Sequence, residues 1–195
     1  MLFRSHEIFL RMHPEVVAVQ RLVLGLCDWR SPDGSKTAAF VIGVDTSKNS
    51  LGMPDTFDES MRTALMEPGG VIINDTDVEK LKSSVGGRAE INDKKVRVVG
   101  VMSGFRAIGG VHVVTSAATA ARLLGGAHNA DKTPYLLVKL KNPGRADAVR
   151  NELERHPSGS KYRLYSRDEF SLKSQMFWIM ESGAGTGITF SSLLG

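Results

Sequence analysis

Residues 16–44 read VVAVQRLVLGLCDWRSPDGSKTAAFVIGV and contain two β-forming runs around a turn. The first run, residues 16–26, is dense in valine and leucine and predicts a long strand. Residues 31–34, Ser-Pro-Asp-Gly, predict the turn, because proline fixes φ and glycine tolerates a positive φ. Residues 37–44 predict the returning strand. We therefore expect a β-hairpin, preceded by a short helix over residues 7–12.

The rest of the chain alternates short strands with short helices. Strands are predicted over residues 70–74, 88–91, 95–102, 111–115, 135–140 and 162–165, with a tight turn between the second and the third. Helices are predicted over residues 58–66, 76–81, 116–124 and 142–155. Asp75 is predicted to cap the second helix, and Gly125 to follow the end of the third. A strand–helix–strand unit after a strand-rich middle predicts the mixed α+β class.

Charge and length limit the classes of function. The chain has 195 residues, a formal net charge of +4 and a pI of about 9.3. Its basic residues do not gather in a stripe, since Glu152 and Glu154 lie between Arg150 and Arg155. Interspersed charges are typical of a solvated surface, whereas a nucleic-acid interface concentrates cations on one face. The sequence therefore predicts no nucleic-acid partner, and one domain with at most an appendage.

No motif indicates catalysis, a metal or a cofactor. The histidines show neither the i, i+4 spacing of a helical metal site nor a cysteine partner. They are His6, His13, His112, His128 and His156. The single cysteine, Cys27, is interpreted as a buried small apolar residue, and Asp75 and Asp77 as a helix cap and a first-turn charge. Since no Gly-x-Ser-x-Gly nucleophile motif occurs either, the sequence predicts that the protein is not an enzyme.

Residues 175–195 read QMFWIMESGAGTGITFSSLLG and contain one charged residue, Glu181. Each glycine costs a soluble helix about 1 kcal/mol relative to alanine, whereas small residues let membrane helices approach closely, and Gly183 and Gly187 have the spacing of such a contact. Residues 171–195 are therefore predicted to start a transmembrane helix. Glu181 is then either a functional intramembrane group or an interfacial one. The same glycines lack the flanking strand and helix of a dinucleotide-binding loop.

The order of short motifs along the chain resembles a known family. The motifs are LGLCDW at 24–29, FVIGVD at 40–45, GVIIND at 70–75, AEIN at 89–92, VRVVGV at 96–101, TPYLLVKL at 133–140 and YSRDEF at 165–170. In this order, and followed by a glycine-rich apolar stretch, they resemble the FtsX-like/MacB-type ABC transporter permeases, and especially the DevC-like branch.

The resemblance implies a domain organisation. Residues 1–170 would form an extracytoplasmic domain of the periplasmic core type. Within it, residues 46–129 would be a β-rich subdomain inserted into a βαβ-like subdomain made by residues 1–45 and 130–170. Residues 171–195 would begin the second membrane helix of an FtsX-like membrane domain. The family's first membrane helix, and the first strand of the domain, would precede Met1.

The resemblance also implies partners and a location. Such permeases lie in the inner (plasma) membrane, dimerise in the lipid bilayer and work with a cytoplasmic ABC ATPase subunit. They often bind a periplasmic adaptor (membrane fusion) protein. ATP-driven conformational change passes through them to the extracytoplasmic side, for export of a lipid, peptide or drug-like substrate. The family supplies no catalytic residue in this domain, so none is assigned.

Two other classes of function stay open. One is a soluble α+β binding or regulatory module, in which residues 175–195 would pack on the domain as an amphipathic helix. The apolar residues of that stretch do not separate cleanly from a polar face, which disfavours this alternative. The other is a small α/β enzyme, which would need a cleft lined by titratable side chains with perturbed pKa values.

Overall fold

The structure, a computed structural model, describes residues 2–104, 110–125, 135–156 and 163–172, with side chains from Ser5 onward. Contacts divide the chain into two compact units, residues 1–139 and 140–195.

Seven strands join in one sheet in the described part of the chain. They are β1 (Val16–Arg30), β2 (Lys36–Val44), β3 (Gly70–Asn74), β4 (Arg88–Ile91), β5 (Lys94–Met102), β6 (Val111–Ser116) and β7 (Tyr135–Leu140). The helices are α1 (Leu2–Arg11), α2 (Glu59–Ala64), α3 (Val78–Leu81), α4 (Ala117–Leu124), α5 (Ala146–Arg155) and a short segment, α6, over residues 167–172. The predicted mixture of helices and strands is confirmed.

Six of the strands pair in a closed ring. β1 pairs antiparallel with β2, β2 parallel with β6, β6 antiparallel with β3, β3 parallel with β5, and β5 antiparallel with β4. The ring closes where Trp29 and Arg30 of β1 pair with Ile91 and Glu90 of β4. β7 follows β1 in the strand order. Because side chains alternate across a strand, one set points into the ring and the other points outward.

Both predicted hairpins form. The β1–β2 pairing continues to Arg30 opposite Lys36, so β1 runs beyond its predicted end at residue 26. The second hairpin joins β4 to β5 through Asn92 and Asp93, whose φ angles are 48° and 61°. Positive φ at both central residues gives a turn whose twist matches that of the strands it connects.

The interior of the ring is an apolar core. Its buried side chains include Val23, Trp29, Val41, Ile73, Ile91, Val98 and Val113, together with Ala120 and Leu123 of α4. The carbonyl oxygen of Leu81, at the end of α3, accepts hydrogen bonds from Trp29 Nε1 at 3.2 Å and Ser31 Oγ at 2.8 Å. The buried indole N–H therefore has the partner it needs.

A second apolar cluster lies on the outer face of the ring. It contains the buried residues Val44, Leu65, Ile72, Met102 and Val114, with Met53, Phe57 and Met61 packed against them. The sequence of residues 45–68 looks irregular. Packing of its apolar side chains against this outer face orders the segment. α2 begins where the carboxylate of Asp58 accepts a hydrogen bond from the Met61 N–H at 2.8 Å.

Two local predictions were wrong. Asn74, not Asp75, caps the helical segment after β3: the Asn74 side chain accepts from the Asp75 N–H, and residues Asp75–Asp77 form a 3₁₀ turn before α3. The Asp75 carboxylate accepts a hydrogen bond from the Thr76 N–H at 2.7 Å, but Asp75 lies one residue inside the segment and not at its cap position. The strand predicted over residues 162–165 is not formed by the described residues 163–165, which have no regular secondary structure.

The second unit contains α5 and α6. The Asn142 side chain accepts from the Gly144 N–H at 2.9 Å and starts a 3₁₀ turn, Pro143–Arg145, which leads into α5. Val149 and Leu153 are buried on one face of α5, as the apolar spacing predicts. The predicted insertion of residues 46–129 supplies β3 to β6 to the ring, and as a separate subdomain it stays a prediction.

Candidate functional site

In the part of the chain that the structure describes, the titratable residues form no cluster that could hold a metal. Among the described residues, no group of three or more His, Cys, Asp or Glu side chains could hold a metal ion. His112 is buried, with its Nδ1 2.8 Å from the Gly110 carbonyl oxygen and its ring against Phe40. His13 Nδ1 accepts a hydrogen bond from the Glu15 N–H. These two histidines therefore have local structural contacts, and His128 lies outside the described residues.

Cys27 occupies the core, as its apolar neighbours in the sequence indicate. It is 6% exposed and belongs to the inner cluster of the ring. Burial, with a smaller contribution from the charge of Asp28, raises the pKa of the Cys27 thiol to about 12. A nucleophilic cysteine needs a lowered pKa. The Cys27 thiol therefore contributes to core packing and is not a nucleophile.

A polar groove of about 440 Å³ lies between α1 and β1. Glu7 links its two arginines: Glu7 Oε1 accepts from Arg11 Nη2 at 3.0 Å, and Glu7 Oε2 is 3.5 Å from Arg21 Nη2. Arg11 Nη2 also donates to the Val19 carbonyl oxygen at 2.7 Å. These contacts attach the N-terminal helix to the longest strand. The groove thus lies where α1 is attached to β1, and its charged groups Glu7, Arg11 and Arg21 bind one another.

A second groove, of about 340 Å³, lies along the segment that covers the outer cluster. Arg62 spans it, donating to the Thr46 carbonyl oxygen at 3.1 Å and to Glu59 Oε1 at 2.8 Å. Asp58, which lines the same groove, has its pKa lowered by the Met61 N–H and then by the Ser60 hydroxyl. A carboxylate held in its charged form by a helix start is a cap, so Asp58 is not a general base poised near neutral pH.

The predicted membrane-helix residues Glu181, Gly183 and Gly187 lie outside the described residues. Of the predicted segment 171–195, the structure describes only Ser171 and Leu172, which belong to α6. No helix within the described ranges is long and apolar enough to span a membrane.

The junction before this segment contains a contact that the sequence analysis missed. Arg150 of α5 donates from Nη1 to Glu169 Oε2 at 2.5 Å, and from Nη2 to Asp147 Oδ1 at 3.0 Å. In the sequence, Arg150 stands in a mixed-charge run typical of a solvated face. The available signal was Ser166-Arg-Asp-Glu169, a Ser-x-x-Glu capping box, which marks the helix start but not its partner on α5.

Comparisons with known proteins agree with this architecture. The family of MacB-like periplasmic core domains matches residues 5–156. No curated protein sequence matches the chain significantly. The fold is similar to that of the extracellular domain of the noncanonic ABC-type transporter YknZ from Gram-positive bacteria, with a TM-score of 0.50, 14% identity, and coverage of 74% of this chain and 75% of that one.

A second similar structure is the periplasmic region of MacB from Actinobacillus actinomycetemcomitans. The TM-score is 0.50 at 11% identity, with coverage of 77% of this chain and 72% of that one. At such identities the structural similarity shows the fold alone, and the family match carries the evolutionary relationship.

Proposed function

This chain belongs to the family of MacB-like periplasmic core domains, and from that membership we propose that it is the extracytoplasmic domain of the permease subunit of an ABC-type exporter. The observation that carries the proposal is the family match over residues 5–156. The DevC-like branch, suggested by the order of the sequence motifs, is the part of the family that we propose for it.

The proposed role is mechanical and non-catalytic. The ring of strands has one apolar cluster inside it and another on its outer face, and close-packed clusters of this kind resist deformation. A rigid domain of this kind can transmit a displacement without making or breaking covalent bonds. α1 is attached to β1 by the Glu7, Arg11 and Arg21 contacts, so a movement applied at the N-terminal helix would reach the ring.

The wider machine is part of the same proposal. We expect a cytoplasmic ABC ATPase to drive the conformational change, a second permease copy to form a dimer, and a periplasmic adaptor to bind the outer side. The substrate classes are lipids, peptides and drug-like molecules. Residues 1–170 would be extracytoplasmic, with 46–129 as the inserted subdomain. Residues 171–195 would enter the lipid bilayer of the inner membrane, with Gly183 and Gly187 packing against another helix and Glu181 as a polar group of that helix.

The location can be tested with an impermeant thiol reagent on whole cells that express the intact gene product. Lys48 is exposed, so Lys48→Cys should react from outside if the domain is extracytoplasmic. The native Cys27 is buried with a raised pKa and serves as the unreactive internal control. Labelling of Lys48→Cys only after the cells are lysed would place the domain inside and overturn the proposal.

The membrane segment can be tested by deleting residues 174–195. The full chain should partition with membranes, and the shortened chain should be a folded soluble protein. If both forms stay soluble and the deletion unfolds the domain, the segment is part of the core. The chain would then be a soluble binding or regulatory module.

A further inference from the structure

The start of α6 is held by two reciprocal hydrogen bonds. The Ser166 N–H donates to Glu169 Oε2 at 2.8 Å, and the Glu169 N–H donates to Ser166 Oγ at 3.2 Å. The Phe170 N–H donates to the Ser166 carbonyl oxygen at 3.0 Å. This is a capping box, which satisfies N–H groups that a helix start leaves without partners. It forms the first turn of α6, but it does not set the direction in which α6 points.

A side chain from α5 supplies a contact that does constrain that direction. Glu169 Oε2, the atom that accepts from Ser166, also accepts from Arg150 Nη1 at 2.5 Å. The other Arg150 terminal nitrogen binds Asp147 Oδ1 on α5 at 3.0 Å. The Arg150 side chain is 24% exposed, so it is the most enclosed of the three partners. One planar guanidinium thus holds a carboxylate from each helix at once.

We propose that Arg150 is a latch that fixes the direction of α6 relative to α5, so that the two helices move as one body. The argument is geometric: the capping box forms only the first turn of α6, whereas the Arg150 guanidinium joins a carboxylate on α5 to one on α6. This cross-helix contact constrains the direction of α6. The proposal rests on the proposed function in one respect, which is that α6 leads toward the membrane segment. The latch would then tie α5 to that segment.

The residue type matters to this role. Arginine presents its donors in a rigid planar fork, whereas lysine offers a compact charge on a flexible stem. Arg150→Lys keeps the charge but cannot hold Asp147 and Glu169 with the same fixed geometry. Glu169→Gln keeps an oxygen acceptor for the Ser166 N–H, because glutamine also completes a capping box, and it removes the charge that Arg150 binds. The latch and the cap can therefore be separated by substitution.

The test measures the distance between spin labels on α5 and α6 in the full chain. Asn151→Cys and Leu172→Cys place labels at exposed positions of the two helices, and the buried native Cys27 stays unlabelled. The parent chain should show a single narrow distance. Arg150→Gln, Arg150→Lys and Glu169→Gln should each lose that narrow peak. Hydrogen exchange at the Phe170 amide should quicken about two- to five-fold, as expected for the loss of one partly exposed ion pair.

The matched control is Arg145→Gln. Arg145 Nη2 binds Glu152 Oε1 at 3.1 Å, with both side chains nearly half exposed and neither on α6. This change removes an ion pair next to the same helix, although with a more exposed arginine, and it should leave the α5–α6 distance narrow. A narrow peak that survives in Arg150→Gln, or an equal broadening in Arg145→Gln, would overturn the latch.

The spin-label distance experiment and the membrane-partition experiment can give independent results. If the latch variants broaden the distance while the full chain fails to enter membranes, the latch stands and the proposed function falls. If the chain enters membranes but the distance stays narrow in every variant, the proposed function stands and the latch falls.

Discussion

Gly43 of β2 lies directly beneath Ala120 of α4, so that a Cβ built on Gly43 would be 2.3 Å from the Ala120 Cβ. The same Cβ would lie 3.1 Å from Val23 Cβ and 3.2 Å from Ala117 Cα. Real Cβ atoms essentially never have a neighbour as close as 2.3 Å. The missing side chain at residue 43 therefore allows α4 to pack closely against β2, with Ala120 buried in the inner core.

The first prediction concerns this close approach. Gly43→Ala should lower the free energy of unfolding by about 1–3 kcal/mol, because the added methyl group meets a backbone atom and two Cβ atoms that cannot rotate away. Urea denaturation followed by circular dichroism would measure the loss. The matched control is Gly25→Ala, where the nearest atoms belong to the flexible end of the Leu124 side chain. We expect the control to be less destabilised, and an equal loss in the two variants would contradict this explanation.

The second prediction concerns the hydroxyl of Thr115, which is buried and donates to the Gly70 carbonyl oxygen at 2.6 Å. Thr115→Val keeps the shape but removes the donor, so we expect a loss of about 1–2 kcal/mol in the free energy of unfolding. Thr37→Val on β2, at a half-buried position, is the control and should change stability by less than about 0.5 kcal/mol. A Thr115→Val protein as stable as the parent would show that the hydrogen bond from Thr115 to Gly70 does not contribute to the free energy of unfolding.

The third prediction concerns the pH dependence that Cys27 contributes. Its pKa in the folded protein is raised from the ordinary value of 9.0 to about 12. The unfolded chain therefore releases this proton as the pH rises above 9 while the folded chain retains it. The stabilising contribution is complete below pH 9 and is lost progressively between pH 9 and 12.

Cys27→Ala makes this measurable. The stability difference between the parent and Cys27→Ala should be constant from pH 6 to 8 and should shift against the parent above pH 9, since other alkaline titrations cancel in the comparison. The folded thiol should also react slowly with a thiol reagent at pH 8, and the chain unfolded in urea should react fast. Rapid reaction of the folded protein would contradict the buried placement.

The fourth prediction concerns Asp58, the cap of α2. The Met61 N–H and the Ser60 hydroxyl hold the Asp58 pKa below its ordinary value of 3.8. The capped state therefore stabilises the fold above pH 3.8, and this contribution is lost as the pH falls further. Asp58→Asn keeps a capping oxygen but should lose the acid dependence, whereas Asp58→Ala should lower the denaturation midpoint at every pH. Asp55→Asn, at an exposed position on the same segment, is the control and should leave both quantities unchanged.

The local elements could be predicted from the sequence because their signals are local. Ser116 accepts from the Thr119 N–H and caps α4, and Gly125 follows the helix with a φ of 61°. The runs of valine and isoleucine predicted β3 and β6 within a residue of their ends. The absence of a catalytic motif predicted that the protein is not an enzyme, and this stays a prediction.

The contacts across the chain could not be predicted in this way. Arg150 and Glu169 are nineteen residues apart, and nothing in either side chain's neighbourhood identifies the other as its partner. Trp29 and Leu81 are fifty-two residues apart. A charged residue in a mixed run satisfies the same local pattern whether it is solvated or forms an ion pair, so only the folded arrangement distinguishes the two.

Local pattern was enough for most of the strand and helix types, both hairpins and the burial of Cys27. These depend on side-chain spacing and backbone preference within about ten residues, which the sequence contains in full. Closure of the ring, the outer cluster under α2 and the latch between α5 and α6 were decided by tertiary structure alone. Each depends on which distant surfaces bury one another, and many arrangements satisfy the same local preferences until packing selects one.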